Sequence, residues 1–314
     1  MKYLIIDKKQ RVKTENELPY ASQRIIEELE KKNLDFDFAY FDQIEIIYEK
    51  SKLKILVNNR DLLEYSNVIF RGHPLGEKTP YETKALIANY IDELNATKDT
   101  NQIQMQNLKA TQELPYYNKI WMARICTKNG IPFFDSYYRG NGEYAVEREF
   151  LGKFPLIIKS VTGKNDVRTA QNESKIKKNV FKLENASDYS QEFLKEKDLK
   201  EYFVQEYSDV GEDMRIFVSK NRVVGGWVRK AKKGFMTVSQ GEYIMYNEPS
   251  KEIRDLAIKT SKAFKADFIA TDFMFKDGKP YLQEISLHPG FKAYEQKTVG
   301  GKPANIAKAI IESF

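Results

Sequence analysis

Two acids and a serine near the end of the chain, Asp272, Glu284 and Ser286, stand among apolar and aromatic neighbours in the stretch ADFIATDFMFKDGKPYLQEISLHPGF, residues 266–291. A carboxylate in such company is costly unless something positive sits beside it. On paired strands, with a hydroxyl and a His-Pro-Gly turn behind them, two carboxylates supply oxygen donors for a hard divalent cation. The same pair would also serve as solvent-facing acids on an edge hairpin, and the residues alone leave both readings open. Upstream, FPLIIK ends an apolar run on Lys159, with Thr162 and Gly163 in the segment SVTGKNDVR that follows. A lysine fixed at a strand end beside a glycine loop can neutralise phosphate oxygens and let backbone N–H groups approach them. This is not a Walker loop, since Gly163 and Lys164 are followed by Asn165, and no G-x-G-x-x-G fingerprint occurs. Arg71, in Arg-Gly-His-Pro, follows a strand and offers a guanidinium fork to a substrate carboxylate; a surface arginine in a turn is the alternative.

These groups need elements to place them. Residues 268–275 and 280–285 read as a hairpin closed by Lys-Asp-Gly-Lys. Residues 2–7, 36–41 and 67–70 read as strands and 21–32 as a helix, which predicts a small α/β unit, with 44–48 and 53–57 as a further hairpin. Residues 80–96 and 120–128 carry helical spacing, the second stopped by Gly130 and Pro132. Between them, 97–112 reads as a linker or irregular helical bridge. The charged stretch 175–200 reads as exposed helix and connection, 202–206 as a strand, 253–264 as a helix and 303–311 as a closing helix. The expected division is 1–108, 109–203 and 204–314.

At 314 residues, 41% apolar and 31% charged, the chain is long enough for two domains and is of ordinary soluble composition. No apolar run approaches the roughly 18 residues of a membrane span. The opening MKYLIID enters a strand without a signal-peptide pattern, so the cytoplasm is expected, and the single Cys126 excludes an internal disulfide framework. A net charge of +6 suits anionic ligands such as nucleotide phosphates. Nucleic acid is not expected, because the densest basic run, 229–233, lacks interleaved aromatics or a recognition helix.

The order of these features resembles the ATP-grasp carboxylate-amine ligases, in the RimK-type and glutathione synthetase-like branch. Their terminal Asp, turn, Glu-x-Asn and Pro-Gly match Asp272, Glu284 and the Pro-Gly at 289–290, with Ser286 in the Asn slot. YNKIWMARICTKNGIPFFDSY is similar to their helix that opens on a lysine, here Lys119, and FPLIIK to their strand ending in a phosphate lysine. VQEYSDVGEDMRIFVSKNRVVGGWVRKA resembles their hinge and following hairpin. The family's later Arg-x-Asn is absent, and FMTVSQGEY stands there. The resemblance covers about residues 118–291. It implies an α/β (α+β) ATP-grasp fold behind an N-terminal α/β domain. Lys119, Lys159, Thr162 and Gly163 would then hold phosphates, Glu206 and Tyr207 adenine, and Asp213 ribose. Arg215 and Arg229 would act on the phosphates or the reacting carboxylate, Asp272, Glu284 and Ser286 on a metal, and Arg71 on substrate. It implies ATP with Mg2+ or Mn2+, a carboxylate and an amine drawn from amino acids or peptides, and room for a homo-oligomer. The activity implied is amide formation through an acylphosphate. A nucleotide-binding regulatory protein without turnover is the alternative, favoured by Ser286 and the missing Arg-x-Asn.

Overall fold

The computed structural model describes residues 1–9, 17–72, 78–97, 102–142, 144, 153–162, 180–190, 198–208, 211–230 and 242–314. Gly163, Lys164, His73 and the basic run beyond Lys230 lie outside them.

The opening apolar run forms Lys2–Asp7, flanked in parallel by Asp35–Tyr40 and Asn67–Phe70, with Gln104–Met105 on the outer side of the latter. Parallel strands are covered on both faces and so need near-continuous apolar sequence. Alternation then splits the side chains: Leu4, Ile6, Val68 and Phe70 pack with Ile87 and Ile91 of the helix Lys78–Ala96. Tyr3, Ile5 and Ile69 face the other way, onto Phe217, Trp227, Phe268 and Tyr294 from the C-terminal part of the chain. The stretch 97–112, expected as a linker, contributes that fourth strand and the short helix Leu108–Glu113. Two residues of strand are too few for alternation to register.

Two antiparallel sheets follow. A small one runs in the order Val180–Leu183, Leu156–Ser160, Tyr202–Glu206, Ser136–Tyr137. Its first strand lies within the stretch expected to be helix and connection. The larger sheet orders Glu242–Met245, Arg222–Lys230, Glu212–Ser219, Phe268–Lys276 and Lys279–Ser286. The expected hairpin is its edge pair, turned through Asp277 and Gly278 with φ of 51° and 73°, as a tight two-residue turn requires. One face of this sheet packs Ile216, Ile269, Phe273 and Leu282 against Met122, Ile125 and Cys126 of the helix Lys119–Lys128 and Ile253 and Ala257 of the helix Lys251–Ala263. The closing helix starts at Ile306 rather than 303, because Asn305 caps it by accepting from the Lys308 N–H at 2.9 Å.

Asn107 joins the N-terminal sheet to the large one. It sits fully buried at φ 60°, and its Nδ2 donates to the carbonyls of Phe268 at 2.7 Å and Leu287 at 2.9 Å. Its Oδ1 accepts from the N–H groups of Asp267 at 2.8 Å and Phe268 at 3.0 Å. All four hydrogen-bonding positions of the amide are used. Asn107→Ala strands four buried backbone groups and is expected to lower stability by about 3 kcal/mol, read from the midpoint of urea unfolding.

Candidate functional site

Strand register puts most of the expected residues on one face of the large sheet. Directly opposed residues of an antiparallel pair share a face, and Asp213 stands opposite Arg229, Arg215 opposite Asp272, and Asp272 opposite Glu284. Glu284 reaches that face through a bulge. Phe273 pairs with Leu282 while Asp272 pairs with Glu284, so Gln283 is an extra residue on the edge strand. Without it, Glu284 would point the same way as Leu282, into the apolar core. Ser286, two residues on and opposite Ala270, continues the polar line.

Arg215 grips Asp272 with two bonds, Nε to Oδ1 at 2.7 Å and Nη2 to Oδ2 at 2.6 Å. Burial works against the guanidinium charge and Asp272 outweighs it, holding Arg215 above its ordinary range. Arg229 grips Asp213 in the same two-pronged way, through Nε to Oδ1 at 2.9 Å and Nη2 to Oδ2. Asp213 and Arg215 are therefore not a pair along one strand; each is matched across to a different neighbour.

Lys159 comes from the small sheet and Lys119 from the helix start tied to it. Lys159, 5% exposed, lies opposite Phe203, with its Nζ 5.4 Å from that ring's centre. Lys119 begins its helix, which Asn118 caps by accepting from the N–H groups of Ile120 and Trp121. The Lys119 N–H donates to the Val161 carbonyl at 2.9 Å, which ties the helix start to the end of the Lys159 strand. Burial pushes Lys159 well below its ordinary range, and the like charge of Lys119 adds to the shift. Lys119 is itself lowered to about 8 by burial, against the pull of Asp272. Its Nζ lies 3.2 Å from Glu284 Oε1 and donates to the Tyr117 hydroxyl at 3.3 Å. Tyr117 in turn donates to Glu284 Oε1. Glu284 keeps 38% of its side chain accessible at the cleft surface, yet the protein crowded around its carboxyl pushes it up to about 7. Lys119 thus faces the carboxylates of Glu284 and Asp272, with the buried Lys159 as its like-charged neighbour.

At the other end of the Tyr202–Glu206 strand, Glu206 pairs with Lys276 and leaves Oε2 buried without a partner. Lys182 lies 4.3 Å from the centre of the Tyr207 ring. Ser208 Oγ donates to the Phe275 carbonyl at 2.5 Å, so the end of this strand is fastened to the acidic hairpin. Thr162 is buried, with its hydroxyl unpartnered among the described residues. Arg71 is apart from these groups, buried against residues 287–291 through a bond from Nη2 to the Pro289 carbonyl at 2.6 Å. Sequence reasoning passed over Tyr117, Lys182 and Lys276. Tyr117 stands two residues before Lys119, which was a signal available for it; the two lysines are singled out only by cross-strand placement.

Among the described residues no three His, Cys, Asp or Glu side chains group as a metal site. No described helix is long and apolar enough to cross a membrane.

A model of the RimK-like ATP-grasp domain matches residues 118–314. The coenzyme gamma-F420-2:alpha-L-glutamate ligase of Methanococcus maripaludis is 28% identical over 158 residues, 48% of this chain and 52% of that protein. The ribosomal protein bS6–L-glutamate ligase of Shigella flexneri is 24% identical over 156 residues, 48% of each. The chain thus spans about half the length of the curated relatives it matches. Among solved structures, the ATP-grasp ligase PsnB with a precursor variant, Mg and ADP superposes with a TM-score of 0.65 at 14% identity, over 99% of this chain and 98% of that one. The D-alanine–D-alanine ligase of Bacillus anthracis gives 0.63 at 14% identity, over 100% and 97%. The fold is ATP-grasp over essentially the whole chain.

The Arg215–Asp272 pair makes a stability prediction. Arg215→Met leaves a carboxylate only 13% exposed without its partner and is expected to cost about 2–3 kcal/mol in urea unfolding without divalent cation. Arg215→Met with Asp272→Leu recovers most of that loss.

Proposed function

Because the chain belongs to the RimK-like ATP-grasp family, we propose that it is an ATP-dependent ligase that joins a carboxylate to an amine through an acylphosphate. The observation that carries this reading is the meeting of Lys119, which has the buried Lys159 as a like-charged neighbour, with Asp272 and Glu284; Lys119 Nζ approaches Glu284 Oε1 to 3.2 Å and Asp272 attracts its charge. Buried ammonium groups opposite carboxylates make a seat for polyphosphate on one side and for its counter-cation on the other.

In this reading Lys159 and Lys119 hold phosphate oxygens, and their burial makes that neutralisation stronger than it would be in water. Thr162 lies two residues beyond the Lys159 strand's end at Ser160, and Gly163, which follows it in sequence, would join it on the phosphates. Glu206, through its spare oxygen, and Tyr207 hold adenine, while Asp213, oriented by Arg229, accepts from a ribose hydroxyl. Arg215 and Arg229 set positive charge beside the phosphoryl group in transfer and the reacting carboxylate. Asp272, Glu284 and Ser286 are hard oxygen donors along one face of adjacent strands, a set that fits Mg2+ or Mn2+. A cation held by these donors would neutralise phosphate charge at this face. No side-chain nucleophile is needed, in keeping with Cys126, which is buried in the core with its thiol pushed up to about 12.

Glutamate ligases among the relatives support an amino acid as one substrate, and the precursor-bound neighbours support a peptide as the other. The test is ADP release from Mg-ATP against pooled amino acids and acidic peptides. Release should require an added carboxylate and amine, fall about 100-fold in Lys159→Ala, and vanish in Asp272→Asn. ATP binding with no release from any pool would favour a regulatory nucleotide-binding protein.

A further inference from the structure

Where the N-terminal sheet meets residues 287–291, two cations are buried with no ion-pair partner among the described residues. Arg71 follows the strand Asn67–Phe70 and is 5% exposed. Nη2 is used by the Pro289 carbonyl, and the guanidinium lies 5.7 Å from the centre of the Phe291 ring. Nε and Nη1 have no hydrogen-bond partner among the described residues. Asp7 contributes attraction from a distance, but its two oxygens are taken by the Ser22 hydroxyl at 2.6 Å and the Lys8 N–H at 2.8 Å. Lys84, on the helix Lys78–Ala96, is also 5% exposed. Its Nζ meets Nε2 of His288, the residue next to Pro289. Among the described residues no acid forms an ion pair with either cation. Desolvation draws Arg71 down to about 10 and Lys84 down to about 7.

Burying a cation without its counter-ion costs several kcal/mol, and here two adjacent residues of one loop hold two such cations at the edge of the N-terminal sheet. The donors left over, the Nε and Nη1 nitrogens of the guanidinium beside its aromatic wall together with an ammonium, suit one small planar anion. The loop continues directly from Glu284 and Ser286, so an anion held here is one loop away from the acids that face the lysine pair.

We propose that Arg71 and Lys84, seated on His288 and Pro289, form the subsite for a carboxylate of the substrate. This rests on the ligase reading in assigning the anion to substrate rather than to nucleotide, whose phosphates have their own lysines. The subsite would select an amino acid or an acidic side chain by its carboxylate, and it explains why Lys84 tolerates an apolar position on its helix.

The probe is glutarate, titrated calorimetrically into the full chain, with inorganic phosphate as competitor and Mg-ATP titrated separately. Saturable glutarate binding is expected, weakened at least tenfold in Lys84→Met and in Arg71→Lys, with Mg-ATP affinity unchanged within twofold in both. Lys84→Met should also raise the thermal midpoint, because it removes an uncompensated buried charge, while it lowers glutarate affinity. Lys84→Gln serves as a second variant of similar length. Absent glutarate binding, or equal binding by wild type and variants, overturns the subsite, as does displacement of glutarate by equimolar phosphate. Failure of wild type to bind Mg-ATP while glutarate still binds overturns the ligase reading and leaves the carboxylate subsite standing.

Discussion

A cation withdrawn from water must be met by negative charge, and four in this chain, Lys119, Lys159, Arg71 and Lys84, are each at most 6% exposed. Only Lys119 has a carboxylate within ion-pair distance among the described residues. The penalty is reduced locally by an aromatic face under Lys159, by a carbonyl on Arg71 and by a ring nitrogen on Lys84. What remains favours bound anions, and the two groups of cations divide that role between them. The surrounding scaffold keeps these charges from escaping to solvent: strand ends, a helix start and a loop pinned by carbonyl bonds.

The large sheet is built to deliver both an apolar core and a polar site from the same strands. Along its site-bearing face, Phe217, Trp227, Phe268 and Ala270 lie buried toward the N-terminal sheet. The same face continues into Arg229, Asp213, Arg215, Asp272 and Glu284. The opposite face is given wholly to helix packing. Each acid on the polar stretch is matched by a cation across a strand or across the cleft, which is how charges survive so near a core. The pairing also restricts the side chains to one arrangement, a requirement for preorganised electrostatics.

Rigidity comes from a few long-range ties. Asn107 fastens the N-terminal sheet to Phe268 and Leu287, Gln106 donates to the Ile310 carbonyl at 3.1 Å, and Arg71 reaches Pro289. The small sheet is tied to the acidic hairpin by Ser208 and Phe275 and by the Leu282 N–H, which donates to the Pro132 carbonyl at 2.8 Å. Lys159 and the acids therefore sit on different sheets, and Lys119 on a helix tied by its N–H to Val161, so their separation is set by backbone bonds rather than by the charged side chains alone.

Local pattern in the amino-acid order determined the elements that bury themselves by simple rules. The run at 2–7, the helix spacing at 120–128, the Asp-Gly turn at 277–278 and the strand at 202–206 each obey a single period or a single turn chemistry. It also supplied the chemical types of the site, because acids and lysines in apolar company need a reason wherever they fall. It did not place the strands Gln104–Met105 and Val180–Leu183, one too short for a period and the other masked by charge. Tertiary structure alone decided which charges meet. Asp213 goes to Arg229 rather than Arg215, Glu284 turns to the polar face through the bulge at Gln283, and Lys84 and His288, 204 residues apart, join Arg71 at one loop. Register, bulge and long-range closure depend on contacts between distant segments, and no local window of sequence contains them.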